Sequence, residues 1–166
     1  MALPVVVAVS IMLVMSHPVT SATVASSPLL GKTAPQLRGY ELDGGSFNLT
    51  DHRGQIVIVN FWASWCVACV KEAPELSTFA WRERQRGVVL IGVVYNDSVS
   101  SARAFEDHYG SLYRSIVDPG GVIANSYGVT APPTTFVIDR HGRIVVTLLG
   151  PVDSNQLVSV IARVRS

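Results

Sequence analysis

Hydrophobic residues follow two kinds of pattern along the chain, and these separate predicted strands from predicted helices. The segments 55–61 and 88–94 are almost continuous apolar runs rich in β-branched residues, which is typical of strands buried on both faces. The segments 67–86 and 98–109 follow them and predict helices, and Ser98 is suited to cap the second helix. The central part therefore alternates strand, helix, strand and helix, as α/β folds do.

The C-terminal part of the chain predicts a hairpin that is followed by a helix. A turn at 118–121 leads into a short helical segment. The apolar segments 134–138 and 143–148 then predict two strands, which pair across the polar turn 139–142. The last segment, 153–163, has its apolar residues on one side and predicts an amphipathic helix.

A smaller hairpin is predicted before the first buried strand. The segments 36–40 and 46–49 flank the residues 43–45 (Asp-Gly-Gly), which favour a tight turn. Together with the strands and helices that follow, this order predicts an α/β fold with a central mixed β-sheet flanked by helices.

The N-terminal segment has the character of an export signal. Residues 2–15 are almost wholly apolar, small residues follow, and the first charged side chain is Lys32. This order is typical of a signal peptide, to which we assign residues 1–25; an uncleaved membrane anchor is the alternative, and a buried N-terminal strand is less favoured. A linker at 26–35 and one domain at 36–166 complete the predicted organisation. We expect an extracytoplasmic protein (periplasmic, on the cell-wall side or secreted), either released or anchored by its N-terminus.

Composition and charge narrow the range of functions. The chain of 166 residues carries 13 Lys and Arg against 12 Asp and Glu, a formal net charge of +1. This balance gives no support for a broad basic face, so we expect no nucleic-acid partner. Two cysteines are too few for a small secreted scaffold held together by disulfides, so their position is the informative feature.

The two cysteines, Cys66 and Cys69, lie between the first buried strand and the helix that follows it. Unpaired N–H groups and the helix dipole stabilise a thiolate at a helix N-terminus. Cys66 is therefore predicted to attack disulfides, and Cys69, which lies on the same helix face, to resolve the mixed disulfide. A zinc site, a purely structural disulfide and a pair without a role are less favoured, and we predict no metal.

Two further features accompany the cysteine pair. Glu72 follows Cys69 by three residues and shares its side of the helix, so that a partly buried carboxylate there would relay the proton that resolution releases. A solvent-exposed Glu72 is the alternative. Pro133 directly precedes a predicted strand in the loop 130–136 and is a candidate for a cis peptide bond. From the residues alone, a trans Pro-Pro turn is the default.

These motifs, in this order, resemble the thioredoxin superfamily and, within it, the exported thiol-disulfide oxidoreductases of the TlpA/ResA/CcmG type. The resemblance extends from about Gly31 to the C-terminus. It is carried by five segments: Gly31–Pro35, Val59–Cys66, Cys69–Pro74, Tyr127–Val129 and Pro133–Asp139.

The resemblance implies a thioredoxin-like fold with an N-terminal β-hairpin and an extra strand–helix insert. It also implies that Cys66 and Cys69 form a redox-active disulfide, with Cys66 as nucleophile and Cys69 as resolving thiol. Glu72 matches the acidic residue that this group carries after its second cysteine, and Asn60 matches an Asn where thioredoxin has a buried Asp. The residues that the resemblance implies for substrate binding are Trp65, Pro132, Pro133 as the cis-proline, and Thr134.

The resemblance also implies partners. Family members commonly receive electrons from a membrane thiol carrier and pass them to extracytoplasmic protein disulfides, including apocytochrome c in cytochrome c maturation. We therefore expect a protein-disulfide reductase that needs no cofactor. The residues between the cysteines, Val67 and Ala68, do not fix the direction of transfer, so a disulfide-forming oxidant with the same CxxC is the alternative. A thiol peroxidase and a metal chaperone of related fold are less favoured. Pro132 has no N–H to donate to a carbonyl group of a substrate backbone, so we predict weaker docking.

Overall fold

The computed structural model describes residues 21–166, which contain eight strands and four α-helices. The strands are β1 (Thr23–Val24), β2 (Arg38–Tyr40), β3 (Ser46–Asn48), β4 (Ile56–Trp62), β5 (Val88–Val94), β6 (Arg114–Val117), β7 (Thr134–Ile138) and β8 (Ile144–Leu149). The helices are α1 (Val67–Glu83), α2 (Val99–Tyr109), α3 (Val122–Tyr127) and α4 (Ser154–Arg165). Each predicted strand and helix is present, with ends displaced by a few residues.

Six strands form one mixed sheet in the order β1-β8-β7-β4-β5-β6. The strands β4, β5 and β6 run parallel, whereas β7 is antiparallel to β4 and β8 is antiparallel to β7. The hairpin of β2 and β3 forms a second, two-stranded sheet. The central mixed sheet with flanking helices confirms the predicted fold class. The N-terminal hairpin and an inserted unit, α2 with β6, are both present.

The almost continuous apolar run of β4 is explained by its place in the middle of the sheet, where all of its residues are buried. Successive side chains of a strand point to opposite faces. Ile56 and Ile58 pack into the core beneath α1 and α4, whereas Val57, Val59 and Phe61 pack into the core on the other face. The side chains of β4 therefore pack against the cores on both faces of the sheet.

The helices α2 and α4 each begin after a residue whose side chain caps the first turn. Ser98 caps α2 as predicted, because its Oγ accepts a hydrogen bond from the N–H of Ser101 at 3.0 Å. Asp153 caps α4 in the same way through the N–H of Gln156 at 2.8 Å. The helix α1 ends at Glu83, three residues before its predicted end, and a turn leads from there into β5.

No residue range was predicted for either edge strand of the large sheet. The strand β6 has four residues, and β1 has two, with Val24 opposite Leu148 of β8. The residues Leu29 and Ala34 of the predicted linker pack against the core. Residues 1–20, which hold most of the predicted signal or anchor, lie outside the described residues. Of the helices that the structure describes, none is long and apolar enough to cross a membrane.

Candidate active site

The cysteine pair lies where β4 passes into α1. Cys66 is the N-cap residue of α1 and has an extended backbone. Its Sγ accepts a hydrogen bond from the backbone N–H of Cys69 at 3.1 Å, as the oxygen of a Ser or Asp does at other helix N-termini. The first turn of α1 thus directs an N–H group and the positive end of the helix dipole at Cys66, an arrangement that stabilises a thiolate.

Cys66 and Cys69 form a disulfide, with their Cα atoms 5.2 Å apart. Cys66 is 6% exposed and Cys69 is 1% exposed. The neighbours of Cys66 in the chain, Trp65 and Val67, are 56% and 72% exposed. Cys66 is thus the more exposed of the two cysteines and lies between exposed apolar residues, whereas the protein encloses Cys69.

Glu72 lies below the disulfide on α1 and is buried, so the solvent-exposed alternative is wrong for this residue. Its Oε1 accepts a hydrogen bond from Nδ2 of Asn60 at 3.0 Å, and its Oε2 accepts one from the backbone N–H of Val152 at 3.1 Å. Burial raises the pKa of Glu72 from 4.5 to about 7, although both hydrogen bonds act in the opposite direction. Near neutral pH the carboxyl group can therefore both bind and release a proton.

A cleft of about 310 Å³ gives Glu72 its access to solvent. The cleft lies between α1 and the segment that connects β8 to α4, and it is lined by Ser21, Lys71, Glu72, Glu75, Pro151, Val152 and Asp153. Glu75, one turn of helix from Lys71, is exposed and accepts a hydrogen bond from the N–H of Ser154 at 3.0 Å. Water in this cleft can exchange protons with Glu72 without passing the disulfide.

The peptide bond between Pro132 and Pro133 is cis, as the resemblance implies. Strand β7 follows this bond and pairs with β4, with Thr134 opposite Phe61. The loop before β7 and the loop that carries the cysteines therefore lie at the same end of these two strands. Pro133 and Thr134 are buried, and the hydroxyl of Thr134 donates to the carbonyl of Ala131 at 2.8 Å. The Thr134 side chain thus holds the loop in shape and is not open to a substrate.

A third loop, after β5, fixes the segment before Cys66. The carboxylate of Asp97 accepts a hydrogen bond from the N–H of Ser64 at 2.7 Å. The indole N–H of Trp65 donates to the carbonyl of Asn96 at 3.2 Å, and its ring lies 6.5 Å from that of Tyr95. These contacts position the exposed Trp65 beside the disulfide.

Sequence reasoning missed three contributors to the site. Thr135 lies opposite Asn60 in the register of β7 and β4, and its Oγ1 accepts a hydrogen bond from Nδ2 of Asn60 at 3.1 Å. Val152 contributes only its backbone N–H. Every residue except proline has this group, so the identity of residue 152 gave no signal. Asp97 follows β5, and since β5 runs parallel to β4, its position at the carboxyl end of that strand was a signal for a place near the cysteines.

Comparisons with known proteins agree with this geometry. The AhpC/TSA family matches residues 30–147. The thiol-disulfide oxidoreductase ResA of Bacillus thuringiensis (strain Al Hakam) is 30% identical over 135 residues, which cover 81% of this chain and 78% of ResA. The thiol:disulfide interchange protein HelX of Rhodobacter capsulatus is 36% identical over 138 residues, covering 80% of this chain and 75% of HelX.

A solved structure gives the same result for the fold. A crystal structure from Chlorobium tepidum, assigned as a thiol:disulfide interchange protein DsbE, superposes with a TM-score of 0.76 and 26% sequence identity. The match covers 82% of this chain and 98% of that one. The chain therefore belongs to the thioredoxin-like AhpC/TSA family and, within it, to the thiol-disulfide oxidoreductases related to ResA and HelX.

Proposed function

We propose that the chain is an exported reductase of extracytoplasmic protein disulfides, with apocytochrome c in cytochrome c maturation as its substrate. The observation that carries the proposal is the placement of Cys66 at the N-cap of α1, with Cys69 enclosed behind it and Glu72 buried below. This arrangement combines a stabilised thiolate at the more exposed cysteine, a more deeply buried second thiol and a group that exchanges protons near neutral pH. Related proteins carry the names thiol-disulfide oxidoreductase and thiol:disulfide interchange protein.

The reaction begins with the reduced protein. The Cys66 thiolate attacks one sulfur of the substrate disulfide, so that the substrate S–S bond breaks and a mixed disulfide forms. The second substrate sulfur leaves as a thiolate and takes a proton from water. The Cys69 thiol then gives its proton to the Glu72 carboxylate and attacks Sγ of Cys66. This step forms the Cys66–Cys69 disulfide and releases the first substrate sulfur, so two electrons have passed from the protein to the substrate.

The substrate is held by the residues around the disulfide. Trp65 supplies an exposed apolar surface on one side of Cys66. Pro132 and Pro133, in the loop before β7, supply a second contact surface, and Thr134 keeps their loop in shape through its bond to Ala131. Because Pro132 has no N–H, the substrate backbone can accept no hydrogen bond from it.

The protein acts outside the cytoplasm, where the apolar segment 2–15 directs it as a cleaved signal or as an anchor. The oxidised protein is reduced again by a thiol carrier in the membrane. The same residues would run in reverse in a disulfide-forming oxidant, so the reduction potential of the pair decides the direction.

The order of the two cysteines can be tested by trapping. We expect Cys69→Ser to accumulate a mixed disulfide with a model peptide disulfide, because the resolving thiol is missing. The matched variant Cys66→Ser should form no adduct, since Cys69 is enclosed. Mass spectrometry of the products under non-reducing conditions gives the readout. An adduct on Cys69 in the Cys66→Ser variant, at a rate near that of the first variant, would overturn the assignment.

A further inference from the structure

The amide of Asn60 links the proton-exchanging carboxylate to the strand that carries the cis-proline. Asn60 lies in the middle of β4 and is fully buried. Its Nδ2 donates one hydrogen bond to Oε1 of Glu72 at 3.0 Å and another to Oγ1 of Thr135 at 3.1 Å. Both donor hydrogens of the amide are therefore used, one by a group on α1 and one by a group on β7.

The acceptor of the same amide is left unpaired. Within residues 21–166, Oδ1 of Asn60 is buried and has no hydrogen-bond partner. Leaving a buried acceptor unsatisfied costs free energy. The opposite orientation would turn Oδ1 toward Oε1 of Glu72, and a carboxylate offers only acceptors. The observed orientation thus favours the ionised form of Glu72 at the expense of the amide's own acceptor.

We infer that Asn60 and Thr135 are positioning residues for the proton transfer: Thr135 fixes the amide of Asn60 so that it donates to Glu72 and stabilises the Glu72 carboxylate. The inference deepens the proposed function and rests on it, because it concerns the group that takes the proton of the resolving thiol. The hydrogen bond from Asn60 is one of two that oppose the effect of burial on Glu72, the other being the N–H of Val152.

Other charged groups face Glu72 and must be considered in any pH dependence. On α1 these are Lys71 and Glu75, which line the cleft together with Glu72, and Asp153 lies on the segment before α4. Tyr113, before β6, has a pKa that is raised by burial and by Glu72. The strands β4 and β7 contain no titratable side chain. A change at Asn60 or Thr135 therefore alters the hydrogen bonding of Glu72 without removing a charge.

The test is the titration of Glu72 itself, followed by the carboxyl carbon signal in NMR spectra of the oxidised protein, in which the cysteines do not titrate. We expect Asn60→Ala to raise the pKa of Glu72 by about one unit, a tenfold change in proton affinity. Thr135→Val, which keeps the shape of the side chain, should shift it in the same direction by less. The matched control is Thr147→Val, because Thr147 is also buried and its hydroxyl has no partner in the described part of the chain.

The control should leave the titration unchanged. An unchanged pKa in Asn60→Ala, or an equal shift in Thr135→Val and Thr147→Val, would overturn the inference. The second readout is the pH profile of single-turnover reduction of a peptide disulfide, which should move to higher pH in Thr135→Val and not when Glu72→Gln is present as well. A wild-type protein that reduces no disulfide would contradict the proposed function, and the NMR titration would still decide the inference.

Discussion

Replacing Glu72 by Gln removes the ionisable group from the buried site and keeps the shape of the side chain. Glu72 is 2% exposed, and burial raises its pKa from 4.5 to about 7. The unfolded chain has no such burial. We therefore expect the stability of the wild-type protein to contain a pH-dependent contribution from Glu72 that the Glu72→Gln variant lacks.

The sign and size of this contribution follow from the two pKa values. Between pH 4.5 and about 7 the folded protein binds the Glu72 proton more tightly than the unfolded chain does, so the free energy of unfolding falls as the pH rises. The stabilisation is fully present below pH 4.5 and is lost above about 7. At about 1.4 kcal/mol per pKa unit, the interval corresponds to about 3 kcal/mol.

Urea unfolding of the oxidised wild type and of Glu72→Gln, at about pH 4 and about pH 8.5, measures the effect. The variant also loses a hydrogen bond, because the NH₂ group of the new amide takes the place of an oxygen that accepts from an N–H donor. This loss is the same at both pH values, so it cancels when the two conditions are compared. We expect the wild type to lose about 3 kcal/mol relative to the variant between the two conditions. An equal difference in unfolding free energy at both pH values would refute the assignment of a raised pKa to Glu72.

Two further substitutions test the surroundings of the site. Gly92→Ala should lower the free energy of unfolding by about 2 kcal/mol in urea titrations. The added Cβ would lie 2.6 Å from Nε1 of Trp62, which donates a hydrogen bond to Ser115. An unchanged midpoint of unfolding would contradict this close packing. Pro132→Ala introduces a backbone N–H before the cis-proline. The affinity for a model peptide should increase roughly fivefold, because one added hydrogen bond contributes about 1 kcal/mol. Calorimetry on a variant with both cysteines replaced by Ser measures the affinity, and equal binding would show that this N–H has no part in docking.

The parts of the fold that the sequence predicts well are those whose patterns are long or chemically specific. The strands β4 and β5 have seven residues each, are apolar except for Asn60 in β4 and are buried almost throughout, so few other structures could accommodate them. Ser98 indicates the start of α2, because serine is a favoured N-cap residue. In contrast, β1 and β6 lie at the sheet edges and have two and four residues, too few for a periodic pattern to develop.

The residues of the site also differ in how well the sequence predicts their positions. Cys66, Cys69 and Glu72 could be placed together because they follow one another at helical spacing. The contacts of Glu72 with Asn60 and Val152 join residues 12 and 80 positions apart in the chain, and only the packing of α1 on β4 and on the segment before α4 brings them together. The cis bond before Pro133 was implied by the family resemblance, whereas the residues alone favoured a trans turn.

Whether the pair works as a reductant is tested most directly by the reduction potential of Cys66 and Cys69. Equilibration of the protein in thiol buffers of defined potential, with the free thiols counted by alkylation and mass spectrometry, gives this value. We expect a potential near or below about −250 mV, in the range of thioredoxin. A potential above about −150 mV would place the pair with strong oxidants and would contradict the proposed direction of electron transfer.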